Sequence, residues 1–360
     1  GVWIMAYTTI DDPSAHFHIQ LYVGNQSTNA ITNNANAGNF QPDWWWGADR
    51  TSTSWNSVYD SSRGTTKQLN SNVNNSEYTV STGLTSFDSD GFTLGSHDNS
   101  NGNSENHVAW QWKANGGTTT TNDASSTGVG TIDSVYQANT TAGFSIVTHT
   151  GSGSAGNIAH GLGAVPEWVV TKNRTDNGQS WANYHASVGN GYYLELDTTD
   201  AQESASSVWG DTTPSSTTFR VGGANGKNNA SSKNYVSYCF TPIQGYSKFG
   251  SYTGNGNADG PFVYLGFKPA FIMWKGSSIA SNWVMFDSKR ETFNLTEKNM
   301  QANETAVENS NLGDHDMLSN GFKIRSVVTN DTNVNGQTYI YIAFAESPFV
   351  SSEGVPTTAR

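Results

Sequence analysis

One cysteine, Cys239, stands in 360 residues. No disulfide can form within the chain, so its stability must come from packing or assembly. Charge is also scarce, at 13% of residues against roughly 25% in an average soluble domain. The 18 Lys and Arg are scattered and outnumbered by 30 Asp and Glu, for a net charge of −12. Such a balance cannot build the positive stripe that a phosphate backbone or an anionic membrane requires, so nucleic acid and membrane are not expected partners. No run approaches the roughly 20 apolar residues of a membrane span. The opening GVWIMA is apolar but leads to Asp11 and Asp12 with no basic start or cleavage site, so no secretory signal is expected. Sparse Lys, Glu, Leu and Met remove the residues that fill helix surfaces and cores.

Gly, Ser, Thr and Asn take the place of the missing charge, while 12 Trp, 15 Tyr and 16 Phe remain. Disordered chains are poor in aromatics, so this chain folds, with bulky rings anchoring modest cores between polar loops. An all-β fold is the expectation.

Self-similarity is the strongest pattern. Five marks recur in order. The first is an aromatic residue two positions before a glycine: Tyr22 and Gly24, His149 and Gly151, Tyr252 and Gly254. The second is a proline heading an apolar run, at Pro42, Pro166 and Pro269. The third is a Trp followed by a polar anchor: Trp55 and Asp60, Trp181 and His185, Trp283 and Asp287. A Phe after a turn follows (Phe92, Phe219, Phe322), then an aromatic closing strand through Trp110, Tyr238 and Tyr341. Proline and anchor are 18, 19 and 18 residues apart, and anchor and turn Phe 32, 34 and 35.

A proline fits the start of a strand, where its missing N–H breaks no ladder bond. The runs behind these prolines are apolar at consecutive positions, as in a strand covered on both faces. Phe17, Ile19, Leu21 and Val23 instead alternate with His18, Gln20 and Tyr22, the pattern of a half-buried strand. The best helix candidate, Thr292 to Val307, lacks a convincing period. The expected organisation is a leader over 1–16, a β-sandwich unit over 17–117, and a flexible polar linker over 118–141. A second unit covers 142–244. A third covers 245–360, its last residues a C-terminal tail. Each unit of about 100 residues reads as a sandwich; the rival arrangement is one pseudo-threefold body.

Chemistry is mostly absent from the pattern. There is no G-x-S-x-G elbow, and Cys239 inside YVSYCF reads as a buried, inert thiol. Asp60 and Arg63, like Asp287 and Arg290, suit a local charge-assisted turn. Glu195, Asp197 and Asp200 are the first acids to inspect for paired-carboxylate chemistry. Ser96 to Glu105 faintly suggests calcium but lacks the loop pattern. No catalytic residue, metal site or cofactor is expected. Trp44, Trp168 and Phe271 share one frame position and read as core anchors. Trp209, in the turn-rich SSVWGDTTPSS, reads as an exposed loop residue that contacts ligand beside Asp211. Trp3 and Ile4, apolar at the tip of the leader, read as a docking segment.

Three strings, AYTTIDDPSAHF, KFGSYTGNGNADGPFVYLGFKPAFIMWK and YIYIAFAESPF, carry a resemblance. The chain resembles uncharacterised tail-fibre or virion structural proteins of marine bacteriophages, cyanophages among them. HGLGAVPEWVVTKNR has the same look, and WWWGADR in the first unit departs from it. The resemblance implies a lectin-like jelly-roll or sandwich, a place on the virion exterior and homotrimers. The expected function is therefore a non-enzymatic virion component, a tail fibre or related appendage for host attachment. Its expected partners are further copies of itself, other virion proteins and host surface glycans. A head fibre or capsid decoration protein is the alternative, and a surface-glycan-degrading enzyme a further one.

Overall fold

The computed structural model describes residues 7–33, 40–204, 206–326 and 330–358. The fold is nearly all β. Helices among the described residues are single turns, at Pro13–Ala15, Asp98–Asn101, Ala124–Thr127 and Ser206–Trp209.

Three large antiparallel sheets share one strand order. The first runs Phe17–Val23, Asn106–Trp112, Trp44–Asp49, Ser57–Asp60, Lys67–Asn70 and Tyr78–Thr79. In the second, Phe144–Thr150, Asn234–Phe240, Trp168–Asn173, Ala182–His185 and Tyr192–Glu195 follow that order, and Glu203–Ser204 ends the sheet. The third has Ser247–Thr253, Thr338–Pro348, Phe267–Gly276, Val284–Asp287 and Met300–Gln301. Register is equivalent too. Trp44 lies opposite Trp112 and Asp60, Trp168 opposite Phe240 and His185, and Phe271 opposite Phe344 and Asp287. Pro42 and Pro166 stand two residues before their strands, and Pro269 sits at a register shift inside its strand, a place where proline disturbs no regular ladder.

Consecutive apolar residues follow from burial on both faces. The inner faces meet in one central core containing Trp44, Trp46 and Trp112, Trp168 and Phe240, and Phe271 and Phe344. Three closing strands converge there: ring centroids of Trp112 and Phe344 are 5.4 Å apart, Phe240 and Phe344 5.7 Å, and Trp112 and Phe240 6.3 Å. The outer faces pack on small sheets, giving each unit its own outer core; Trp45, Tyr59 and Phe92 belong to the first, Val169, Tyr184 and Phe219 to the second, and Ile272, Trp274 and Phe322 to the third. The units therefore do not close separately, because half of each large sheet's apolar surface is covered only by the other two.

Several expectations are corrected. The stretch 118–141 is no flexible linker: Thr120–Asn122 and Ser134–Asn139 extend the second sheet, the latter paired along Phe144–Thr150. Polar composition misled here, because one face of an edge strand can stay wet. Nor is the described part of the leader free. The Tyr7 hydroxyl donates to the Gly266 carbonyl at 2.9 Å, Thr8 Oγ1 to that of Gln244 at 2.9 Å, and Ile10 enters the central core. Trp3 and Ile4 lie outside the described residues. Thr292 to Val307 holds the short strand Met300–Gln301 and no helix. In the third closing strand Ile342, not Tyr341, takes the place of Trp110 and Tyr238, since Ile342 opposes Met273 as they oppose Trp46 and Val170.

Polar anchors lock the seams between units in a ring. Asp60 accepts from Arg63 Nε at 2.5 Å and from the Tyr238 hydroxyl of the second unit at 2.7 Å. Asp287 accepts from Arg290 Nε at 2.5 Å and from Trp110 Nε1 of the first unit at 3.1 Å. These turns are the charge-assisted ones expected, with all four side chains fully buried. Each arginine continues across its seam: Arg63 to Glu77 to Arg174, and Arg290 to Glu308 to Arg50. Among the described residues the seam from second to third unit shows no such triad. Across it His185 faces the Tyr341 backbone carbonyl, at 3.3 Å, since Ile342 offers no polar side-chain group. Gln202 N still donates to the Ser277 carbonyl at 2.8 Å, as Glu77 N does to Arg174 and Glu308 N to Arg50.

Candidate functional site

Trp209 is not an exposed loop residue. It closes the single turn Ser206–Trp209, is 2% exposed, and meets Tyr184 edge-on at 6.1 Å inside the second outer core. Val208 and Trp209 form an apolar pair in a polar stretch, and burying both on the sheet outweighs the local turn signals. Asp211 is exposed and has a φ of +48°, but the ring expected beside it faces inward. Cys239 is buried, and burial pushes its thiol far up. His185 is pinned as a neutral hydrogen-bonding ring: Nδ1 accepts from Ser187 N, Nε2 faces the Tyr341 carbonyl, and burial lowers it to about 4. Among the acids, Glu195 pairs with Lys227 at 3.2 Å and Asp197 accepts from Trp181 N at 2.8 Å. Glu195, Asp200 and Glu203 gather within 4.8 Å at the edge of the sheet, Glu195 half-buried and Asp200 and Glu203 exposed.

Tyr192, Phe262, Tyr264 and Phe293 are exposed, and among the described residues the exposed tryptophan is Trp55. Trp181 Nε1 donates to the Asn70 carbonyl and Trp283 Nε1 to that of Glu195, each at 2.8 Å and each across a seam. In the first unit that position belongs to Asn56, whose Nδ2 donates to the Gln301 carbonyl of the third unit at 2.9 Å. Trp55, one residue earlier, is displaced to the rim and left 38% exposed. The sequence carried this signal: Trp precedes the anchor by five residues in the first unit and by four in the others. Trp55 lines a hollow of about 300 Å3 with Thr53, Ser54 and Asn99 of its own unit and Thr305 of the third. An indole face ringed by hydroxyls and amides can stack on an apolar sugar face while hydrogen-bonding its edge. A larger polar groove, of about 560 Å3, crosses the second unit and is lined by Thr131, Asp133, Thr148, Thr150, Arg174 and Asn234 among others.

The loop carrying Trp55 begins at a second cluster that sequence reading missed. Asp49 ends one strand and lies directly opposite His107, the second residue of its partner. Asp49 Oδ1 accepts from Thr51 N, Thr51 Oγ1 and Ser52 N at 2.8–3.1 Å. Its Oδ2 is buried without a hydrogen bond, as are both nitrogens of the His107 ring. Glu105, held by Ser52 Oγ at 2.5 Å, completes a group whose ligand atoms lie within 4.8 Å of one another. Asp49 pushes the Glu105 carboxyl up. Burial lowers His107 to about 4, partly opposed by Glu105 and by the Gly102 carbonyl, which is near the ring but outside hydrogen-bond geometry.

The family described as Domain of unknown function (DUF7483) matches residues 12–348. The chain belongs to that family. The match runs from just before the first sheet to the end of the third closing strand, so the DUF7483 region spans all three units. No curated protein and no solved structure matches the chain.

Proposed function

We propose that this DUF7483 chain is a non-enzymatic attachment protein on the exterior of a bacteriophage virion, a tail fibre or related appendage that holds host surface glycans weakly and repeatedly. The observation that carries the reading is Trp55, an indole exposed in a hydroxyl- and amide-lined hollow while the other tryptophans among the described residues are buried. A shallow hollow gives weak affinity, and several copies in one particle multiply it through avidity. Assembly as a homotrimer would supply those copies. The three-way core and buried seams support a body that resists proteolysis outside a cell. The phage setting rests on the resemblance of AYTTIDDPSAHF and its companion strings.

Two measurements test the reading. Purified protein should bind host cells, and Trp55→Ala should reduce binding at least about tenfold, the loss of roughly 1.4 kcal/mol or more per site. Unchanged binding would remove Trp55 from the site. Labelled antibody on intact particles should mark the tail; signal on the capsid shell would favour a head fibre or decoration protein instead.

A further inference from the structure

We propose that Asp49, Glu105 and His107 bind a divalent transition-type cation, with Zn2+ as the fitting ion. Two carboxylates and one imidazole form a mixed oxygen and nitrogen donor set that suits zinc better than calcium or magnesium. Zinc with three protein ligands keeps a fourth position for water. The atoms lie within 4.8 Å of one another, and half-buried Glu105 is the ligand able to swing inward and close the set to bonds of about 2.0–2.2 Å.

Buried polar atoms without partners are the independent observation. His107 is 0% and Asp49 3% exposed, yet Asp49 Oδ2 and both His107 nitrogens make no hydrogen bond. Buried groups of this kind are nearly always satisfied. A cation would bond to Oδ2 and one nitrogen, leaving the other free to donate toward a carbonyl such as Gly102, the usual outer partner of a ligating histidine. The outer ring is already in place: Asp49 Oδ1 is held by three donors, Glu105 by Ser52, and His107 stacks on Tyr22 at 5.1 Å and 15°.

The other two units show what the position does without such a set. Tyr235 and Tyr339 stand in register where His107 stands, and stack on His149 and Tyr252 at 5.0 and 5.1 Å. Their hydroxyls tie down the adjoining loop: Tyr235 accepts from Ala230 N at 2.8 Å, and Tyr339 accepts from Val334 N at 3.0 Å and donates to the Asn330 carbonyl at 2.9 Å. Asp49 is replaced by Asn173 and Gly276, and Glu105 by Lys233 and Gln337. The first unit alone lost the hydroxyl and gained a nitrogen and two acids. A cation there would tie Glu105 and His107, at the loop before the closing strand that the tyrosine pins elsewhere, to Asp49, the strand end from which the loop to Trp55 departs.

The test uses the full chain without an affinity tag, stripped with EDTA and dialysed against Zn2+. About one Zn2+ per chain should be retained and the melting temperature should rise over that in EDTA. Asp49→Asn and His107→Tyr install residues that the second unit already carries, so both should fold; each should weaken Zn2+ binding at least about tenfold, with the melting temperature in EDTA held or raised. Co2+ in place of Zn2+ should give visible absorption bands that His107→Tyr abolishes. Failure of the wild-type chain to retain Zn2+ at tens of micromolar would overturn the proposal. So would His107→Tyr binding as tightly as wild type, or stabilisation by Ca2+ and not by Zn2+.

Discussion

Removing the carboxylate of Asp60 probes whether the seams hold the body together. Its Oδ2 accepts from Arg63 Nε and from the Tyr238 hydroxyl of the next unit, and Arg63 and Asp60 have fully buried side chains. Asp60→Ala strands a buried guanidinium, whose remaining acceptors are the carbonyls of Val58 and Lys67 and the Glu77 carboxylate. It also leaves the Tyr238 hydroxyl with only a 3.4 Å contact to that same Arg63. Breaking a buried pair from one side costs about 3–5 kcal/mol. An unfolding entropy of about 2.1 cal/mol/K per residue, applied to the whole chain, converts this to a fall in melting temperature of roughly 4–7 °C. Calorimetry of wild type, Asp60→Ala, Arg63→Met and the double variant is the assay. The double variant should cost less than Asp60→Ala alone, because no charge is left buried without a partner. A single variant costing under about 1 kcal/mol, or a melt in which the first unit unfolds by itself while the others persist, would refute the claim that the units stand only together.

Further outcomes follow from the same packing. Burial lowers His149, His160 and His185 from 6.5 to about 4, against the opposing pull of the Asn228, Ser215 and Tyr341 carbonyls. The unfolded chain therefore binds more protons than the folded one between about pH 6.5 and 4. Stability is held above that window and falls as pH drops through it, by up to about 3 kcal/mol per histidine, which melting curves from pH 7 to 4 will record. Burial raises Glu77 and Glu308, but Arg174, Arg63, Arg50 and Arg290 outweigh it and hold both below the ordinary value, so their contribution persists above the carboxylate range and is lost at still lower pH. Trp209→Ala should destabilise by about 3–5 kcal/mol in denaturant titration and leave cell binding unchanged per folded molecule. Ile10→Ala should cost about 2–4 kcal/mol, since Ile10 fills the central core; a neutral result would show the leader to be dispensable.

Much of the fold was legible because periodicity reports burial on a strand directly. Consecutive apolar residues behind Pro42, Pro166 and Pro269 announced strands covered on both faces, and inner and outer cores are what cover them. The D-S-S-R and D-S-K-R turns were legible for a similar reason, since partners three residues apart meet within one turn. The stretch 118–141 was not, because an edge strand needs little apolar surface and reads like a loop. Trp209 was misjudged since the turn residues around it describe the backbone but not the direction of the ring.

The candidate sites depended on distance along the chain. Alternation of side chains, proline position and local turns are properties of neighbours, and the sequence by itself determined them: an all-β chain, ring-anchored, low in charge, with one ordered pattern stated three times. Which residues meet across the seams was decided only when the three inner faces closed on each other. Asp60 and Tyr238 are 178 residues apart and Trp110 and Asp287 177, and no local preference links them. Asp49 and His107 face each other because two strands 58 residues apart in sequence pair in one register among several, a choice made by the rings on either side. Trp55 was left at the surface by the same packing, which took Asn56 for the seam.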